Sequence, residues 1–113
     1  MEAKSNNKLT GVYVMKEGTV VTIVMNNGAE IIGKFVAEDF TTITLYKPRM
    51  VQASQQGVGL VNGIAMTGVE PTANFVFNRT GIMYMVETVK ELATGWTSQT
   101  SGIAVPQQGG IIK

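Results

Sequence analysis

The sequence predicts a mainly β protein, a five-stranded and strongly bent antiparallel barrel, and three observations carry that reading. The first is a three-strand meander over residues 18–46. Residues 19–25 are almost wholly β-branched and apolar, Asn26-Asn27-Gly28 offers positive-φ residues for a tight hairpin turn, and residues 30–37 resume a strand. A second turn follows at Glu38-Asp39-Phe40, after which Thr41, Ile43 and Leu45 alternate with Thr42, Thr44 and Tyr46, the pattern of a strand with one buried face. The second observation is Gly33, a glycine inside a strand, which marks a sharp bend or a close backbone approach of the kind a small barrel needs. The third is a pair of later strands. Residues 74–78 set Phe75 and Phe77 against Asn74, Val76 and Asn78, and residues 82–87 set Ile82, Tyr84 and Val86 against Met83 and Met85. Both faces of that last strand are apolar, so one side is expected to line the barrel and the other to meet another element or subunit.

The remaining segments fall around this frame. Residues 1–17 form an N-terminal segment whose first nine residues are polar. In residues 9–16, Leu9, Val12 and Met15 share a helical face while Val12-Tyr13-Val14 favours a strand, and the residues alone leave the choice open. Residues 18–96 make the barrel unit. Within it, 47–73 is long enough for an extra hairpin: 49–52 extends the third strand, Gln55-Gln56-Gly57 turns, and a glycine-interrupted apolar arm returns. That arm either packs over the barrel end or touches a neighbour. Thr88-Val89-Lys90-Glu91 has the form of a capping box, with Val89, Leu92, Ala93 and Trp96 on one face of a short C-terminal helix. Residues 97–113, rich in Ser, Thr, Gln and Gly, read as a flexible tail.

Composition narrows the chemistry. The 113 residues suit one small domain, and cysteine and histidine are both absent, which removes disulfides, thiolate nucleophiles, Cys/His zinc sites and imidazole bases. No cofactor or metal is expected. Nine basic residues against eight acidic ones give no global field for a polyanion, so any nucleic-acid contact has to be local. With 44% apolar and only 15% charged residues, some apolar surface is expected to be covered, most simply by another copy. There is no signal-peptide pattern and no run of 18 apolar residues, so a cytoplasmic protein without membrane contact is expected.

The spacing Asn27-Gly28, Gly33, Asp39 inside a bent meander resembles the first half of the Sm-like fold, the SH3-like barrel of the Sm and LSm proteins and of the bacterial RNA chaperone Hfq. Residues 75–82, with Arg79-Thr80-Gly81 where the family pattern has Arg-Gly, resemble its closing strand pair. The Met-Asn that follows the aspartate in the eukaryotic motif and the Lys-His of Hfq are not present. The resemblance covers about half of the chain, and the long insert is similar to divergent Sm-like proteins of tailed phages, cyanophages especially. It implies a short N-terminal helix and a homo-oligomeric ring of five to seven subunits that binds single-stranded RNA or DNA. It also implies site residues. Phe40 would stack on a base, Thr41 and Thr42 would contact it from the loop, and Asn78 with Arg79 would supply donors to base or phosphate. Lys47 and Arg49 add local positive charge.

Two other classes compete. A non-enzymatic phage or virion component could use the same ring to bind protein, in which case the virion joins the host cytoplasm as an expected location. An enzyme would have to work through Glu38-Asp39, the one adjacent carboxylate pair, and consecutive strand or turn residues usually point apart. An enzyme is therefore not expected.

Overall fold

The β-branched and alternating segments form strands wherever a turn residue lets the chain reverse. The structure is a computed structural model that describes residues 15–65 and 67–101. In chain order it contains β1 (Val20–Met25), β2 (Glu30–Glu38), β3 (Thr42–Ser54), β4 (Gly57–Leu60), β5 (Asn74–Asn78), β6 (Ile82–Glu87) and one helix, α1 (Lys90–Thr100). The sequence expectation for residues 9–16 lies almost entirely outside the described residues, as does the tail from residue 102 on.

The strands form one antiparallel sheet in the order β4-β3-β2-β1-β6, with β5 also paired to β3. β3 is long enough to serve β4 and β5 as well as β2. Its first half, residues 42–46, pairs with β5, and its second half, residues 51–54, pairs with β4 in a hairpin turned at Gln55-Gln56. The expected count of five strands therefore becomes six. The expected closed barrel also needs correction, because among the described residues no ladder joins β5 to β6 and the sheet is not closed. It is nevertheless strongly curled: β5 and β6 lie at separate ends of the pairing path, yet a single 3-10 turn at Arg79–Gly81 connects them.

The curl is made at an elbow between β2 and β3. A Cβ placed on Gly33 would lie 3.0 Å from Leu45 Cβ and 3.3 Å from the Pro48 backbone, so the glycine permits a close approach of the two strands. Opposite it the register shifts, and Lys47 takes a left-handed conformation with φ 49°, which absorbs the extra residues of β3. In the first hairpin only Gly28 has positive φ, at 92°, so Asn27 does not serve as a second left-handed residue. Its side chain instead accepts from Ala29 N–H at 2.9 Å.

Inside the curl lie Val21, Ile23, Ile31, Phe35, Ile43, Leu45 and Phe77, joined by Met15 from before β1. The outer face of the elbow carries a second cluster of Ile32, Leu60 and Trp96, covered by α1 through Leu92 and Trp96. Three expectations for this region change. The helix begins after Val89, which is exposed and makes no side-chain cap, while the hydroxyl of Thr88 is buried against that of Thr22 at 2.9 Å; the capping box is not formed. Residues 97–100 belong to the helix and not to a tail, because Thr97 and Thr100 hydroxyls bond the carbonyls of Ala93 and Trp96 and because Thr100 is buried. In β6 the register shifts between Val24 and Met25 of its partner, so Ile82 and Met85 both pack on the core while Met83 and Tyr84 face out.

Candidate functional site

At one end of the curled sheet three turns are tied together. Arg79 N–H donates to the Thr41 carbonyl at 2.8 Å, which joins the β5–β6 turn to the β2–β3 loop. Asn26 adds the third turn: its backbone N–H donates to Gly81 O at 2.9 Å and its Nδ2 to Thr80 O at 2.7 Å. Asn78 caps the 3-10 turn, its Oδ1 accepting from Thr80 N–H and Thr80 Oγ1. Thr42 is the register partner of Asn78. The five residues expected at the site, Phe40, Thr41, Thr42, Asn78 and Arg79, thus stand in one cluster although the chain separates the two groups by more than thirty positions.

Asp39 ties the β2–β3 loop together. Its Oδ1 accepts from the backbone N–H groups of Thr41 at 2.9 Å and Thr42 at 2.8 Å, and from the Thr42 hydroxyl at 3.0 Å. The amides of Thr41 and then of Thr42 hold the Asp39 carboxyl below the usual carboxylate range. Phe40 follows at the tip. It is 99% exposed, so its ring is no part of the core and a full aromatic face is offered to solvent on a loop whose backbone is fixed.

Arg79 lies along the cluster, with Nη1 2.6 Å from Glu38 Oε1. This pair forms one wall of a shallow recess of about 190 Å³ whose other walls are Ile43 and the start of β6, Ile82 to Met85. Glu38 and Asn26 are the members of the cluster that sequence reasoning did not assign to it. Glu38 was visible only as half of a carboxylate pair, and the two carboxylates have separate partners, Arg79 for one and the threonine loop for the other. Among the described residues no group of three or more acidic side chains is placed to hold a metal ion.

The two strand edges beside the cluster are apolar. Val76 and, in part, Phe75 are exposed on β5, while Met83, Tyr84 and Val86 are exposed on β6. Lys47 and Arg49, read as local positive charge, are used inside the molecule. Lys47 Nζ donates to the Thr100 carbonyl at the end of α1, and the buried Arg49 donates to Pro71 O and to Glu70 at 2.6 Å, locking the segment after β4 onto the elbow. Burial lowers the Arg49 guanidinium pKa, and Glu70 opposes that shift.

Compared with known proteins, the sequence matches no family model, and no curated protein matches it. Among the described residues no helix is long and apolar enough to cross a membrane.

Proposed function

We propose that this chain is an Sm-like protein that assembles into a homo-oligomeric ring and binds single-stranded RNA or DNA at the turn cluster. The observation that carries the reading is the fully exposed Phe40, presented on a loop that Asp39 ties together and that is hydrogen-bonded to the Arg79 turn. A large aromatic held out of the core at no structural gain is what base stacking needs, and every base offers a π-face. The strand order supports the assembly. Among the described residues β5 and β6 each have one edge with no strand partner and carry exposed apolar side chains, and pairing β5 of one copy with β6 of the next would satisfy both edges around a closed ring. The curled sheet with its linking 3-10 turn is compatible with an SH3-like barrel completed in this way.

The test is mass in solution together with binding of a short oligo-U at several salt concentrations. The wild type is expected to form a discrete oligomer and to bind, and Phe40→Ala to weaken binding roughly ten- to a hundredfold, the worth of one stacked base. The thermal midpoint should not move. If the assembled wild type binds no oligonucleotide even at low salt, the second reading replaces the first: a ring component of a phage or virion that docks protein through Phe40. The carboxylate of Glu38, which already occupies Arg79, is the observation that favours it.

A further inference from the structure

Among the described residues the turn cluster is short of positive charge for a site that would meet a polyanion. The one guanidinium there, that of Arg79, is already paired, with Glu38 Oε1 2.6 Å from Arg79 Nη1, while Asp39 is taken up by Thr41 and Thr42. Charge-assisted contacts of this length are among the stronger hydrogen bonds. Lys47 and Arg49 are engaged at the α1 carboxyl end and at Glu70, and Lys34 lies 5.9 Å from the ring centres of both Tyr46 and Trp96. None of the three is drawn to the cluster.

We infer that Glu38 is a built-in competitor for phosphate at Arg79, so that the cluster admits a ligand by the uncharged face of its base and screens out the phosphate. This rests on the nucleic-acid reading for its biological meaning, while the masking of Arg79 stands on the ion pair alone. A phosphate reaching Arg79 has to displace the Glu38 carboxylate; a base reaching Phe40 does not meet that cost. Glu38 is in this sense a specificity-determining residue and Arg79 a neutralised wall of the recess.

The experiment follows the Arg79 Nε–H and Phe40 ring signals by NMR while wild type and Glu38→Gln are titrated with uridine, uridine monophosphate and inorganic phosphate. In the wild type, uridine and its monophosphate should shift Phe40 with similar affinity, and inorganic phosphate should shift Arg79 about two- to fivefold more weakly than it does in Glu38→Gln. In Glu38→Gln, inorganic phosphate should shift Arg79, and the monophosphate should outbind uridine by about two- to fivefold, the worth of releasing an exposed ion pair. A wild-type Arg79 that responds to phosphate as tightly as that of Glu38→Gln, or a folded Glu38→Gln protein in which it does not respond, overturns the inference. If neither uridine nor its monophosphate moves Phe40 in either protein, the nucleic-acid reading fails, and the phosphate titration still decides whether Glu38 masks Arg79.

Discussion

The two ends of the curled sheet are built to opposite rules. At the elbow, Gly33, Pro48, Arg49 and Trp96 are buried; the Trp96 indole of α1 donates to the Lys47 carbonyl of β3, and the Arg49 side chain of β3 donates to the Pro71 carbonyl of the segment after β4. At the turn cluster the hydrogen bonds are as regular, yet the residues they hold are exposed: Phe40, Thr41, Asn78, Arg79 and Thr80 all face solvent. Order without burial stabilises little, because exposed hydrogen bonds exchange with water at small net gain. A fixed loop that keeps an aromatic ring in water is therefore better explained by contact with something else than by folding.

That contrast can be broken at several points. Trp96→Ala removes a side chain that is 2% exposed and donates to the Lys47 carbonyl at 2.9 Å, and it should lower stability by about 3–5 kcal/mol, read by denaturant titration. A small loss would mean that α1 contributes little to holding the elbow. Gly33→Val should cost about 1–3 kcal/mol, since its branched side chain has to force Leu45 and Pro48 apart. An unchanged thermal midpoint would show that the strands separate there without strain.

Met83→Lys tests the sheet edge and not the core. Met83 is 59% exposed, so the monomer should keep its fold while sedimentation shows loss of the proposed oligomer; Met85 packs on the core and is the wrong residue for this purpose. Oligomers of unchanged mass would remove β6 from the interface. Asp39 gives the pH dependence. Its carboxyl is held low in the folded protein, so its stabilising effect is complete above the unfolded carboxylate pKa and is lost as pH falls through the lower folded value. Asp39→Ala should abolish that part of the acid-side slope and loosen the loop, which amide exchange at Thr41 and Thr42 would report. The smallest effect on stability is expected for Phe40→Ala, where a sharp fall in the melting temperature would place the ring in a packed state and remove the basis of the proposed function.

Much of this architecture was readable in the chain. The meander, the bend at Gly33, the Gln55-Gln56 turn and the strands around Phe77 and Tyr84 follow from local patterns of alternation and turn chemistry, which act within a few residues. Thr88 shows where such reading fails: its capping-box spacing is correct, but a hydroxyl partner 66 positions away, Thr22, takes it into the core. The same holds for residues 97–100, whose polar composition suggests a tail until packing beside Trp96 and hydroxyl bonds to the preceding turn make them helix.

The site divides along the same line. Composition removed thiol and imidazole chemistry, and the two loops that carry Phe40 and Arg79 could be recognised from their own residues. That they are tied by the Arg79–Thr41 backbone bond, that Asn26 joins them, and that Glu38 occupies the guanidinium could be decided only when β3 brought β2 and β5 to its two sides. Whether the sheet closes was likewise beyond the strand patterns. Alternation specifies which face of a strand is buried, whereas closure depends on the summed twist of the strands and on which edges find partners, and those are properties of the assembled sheet.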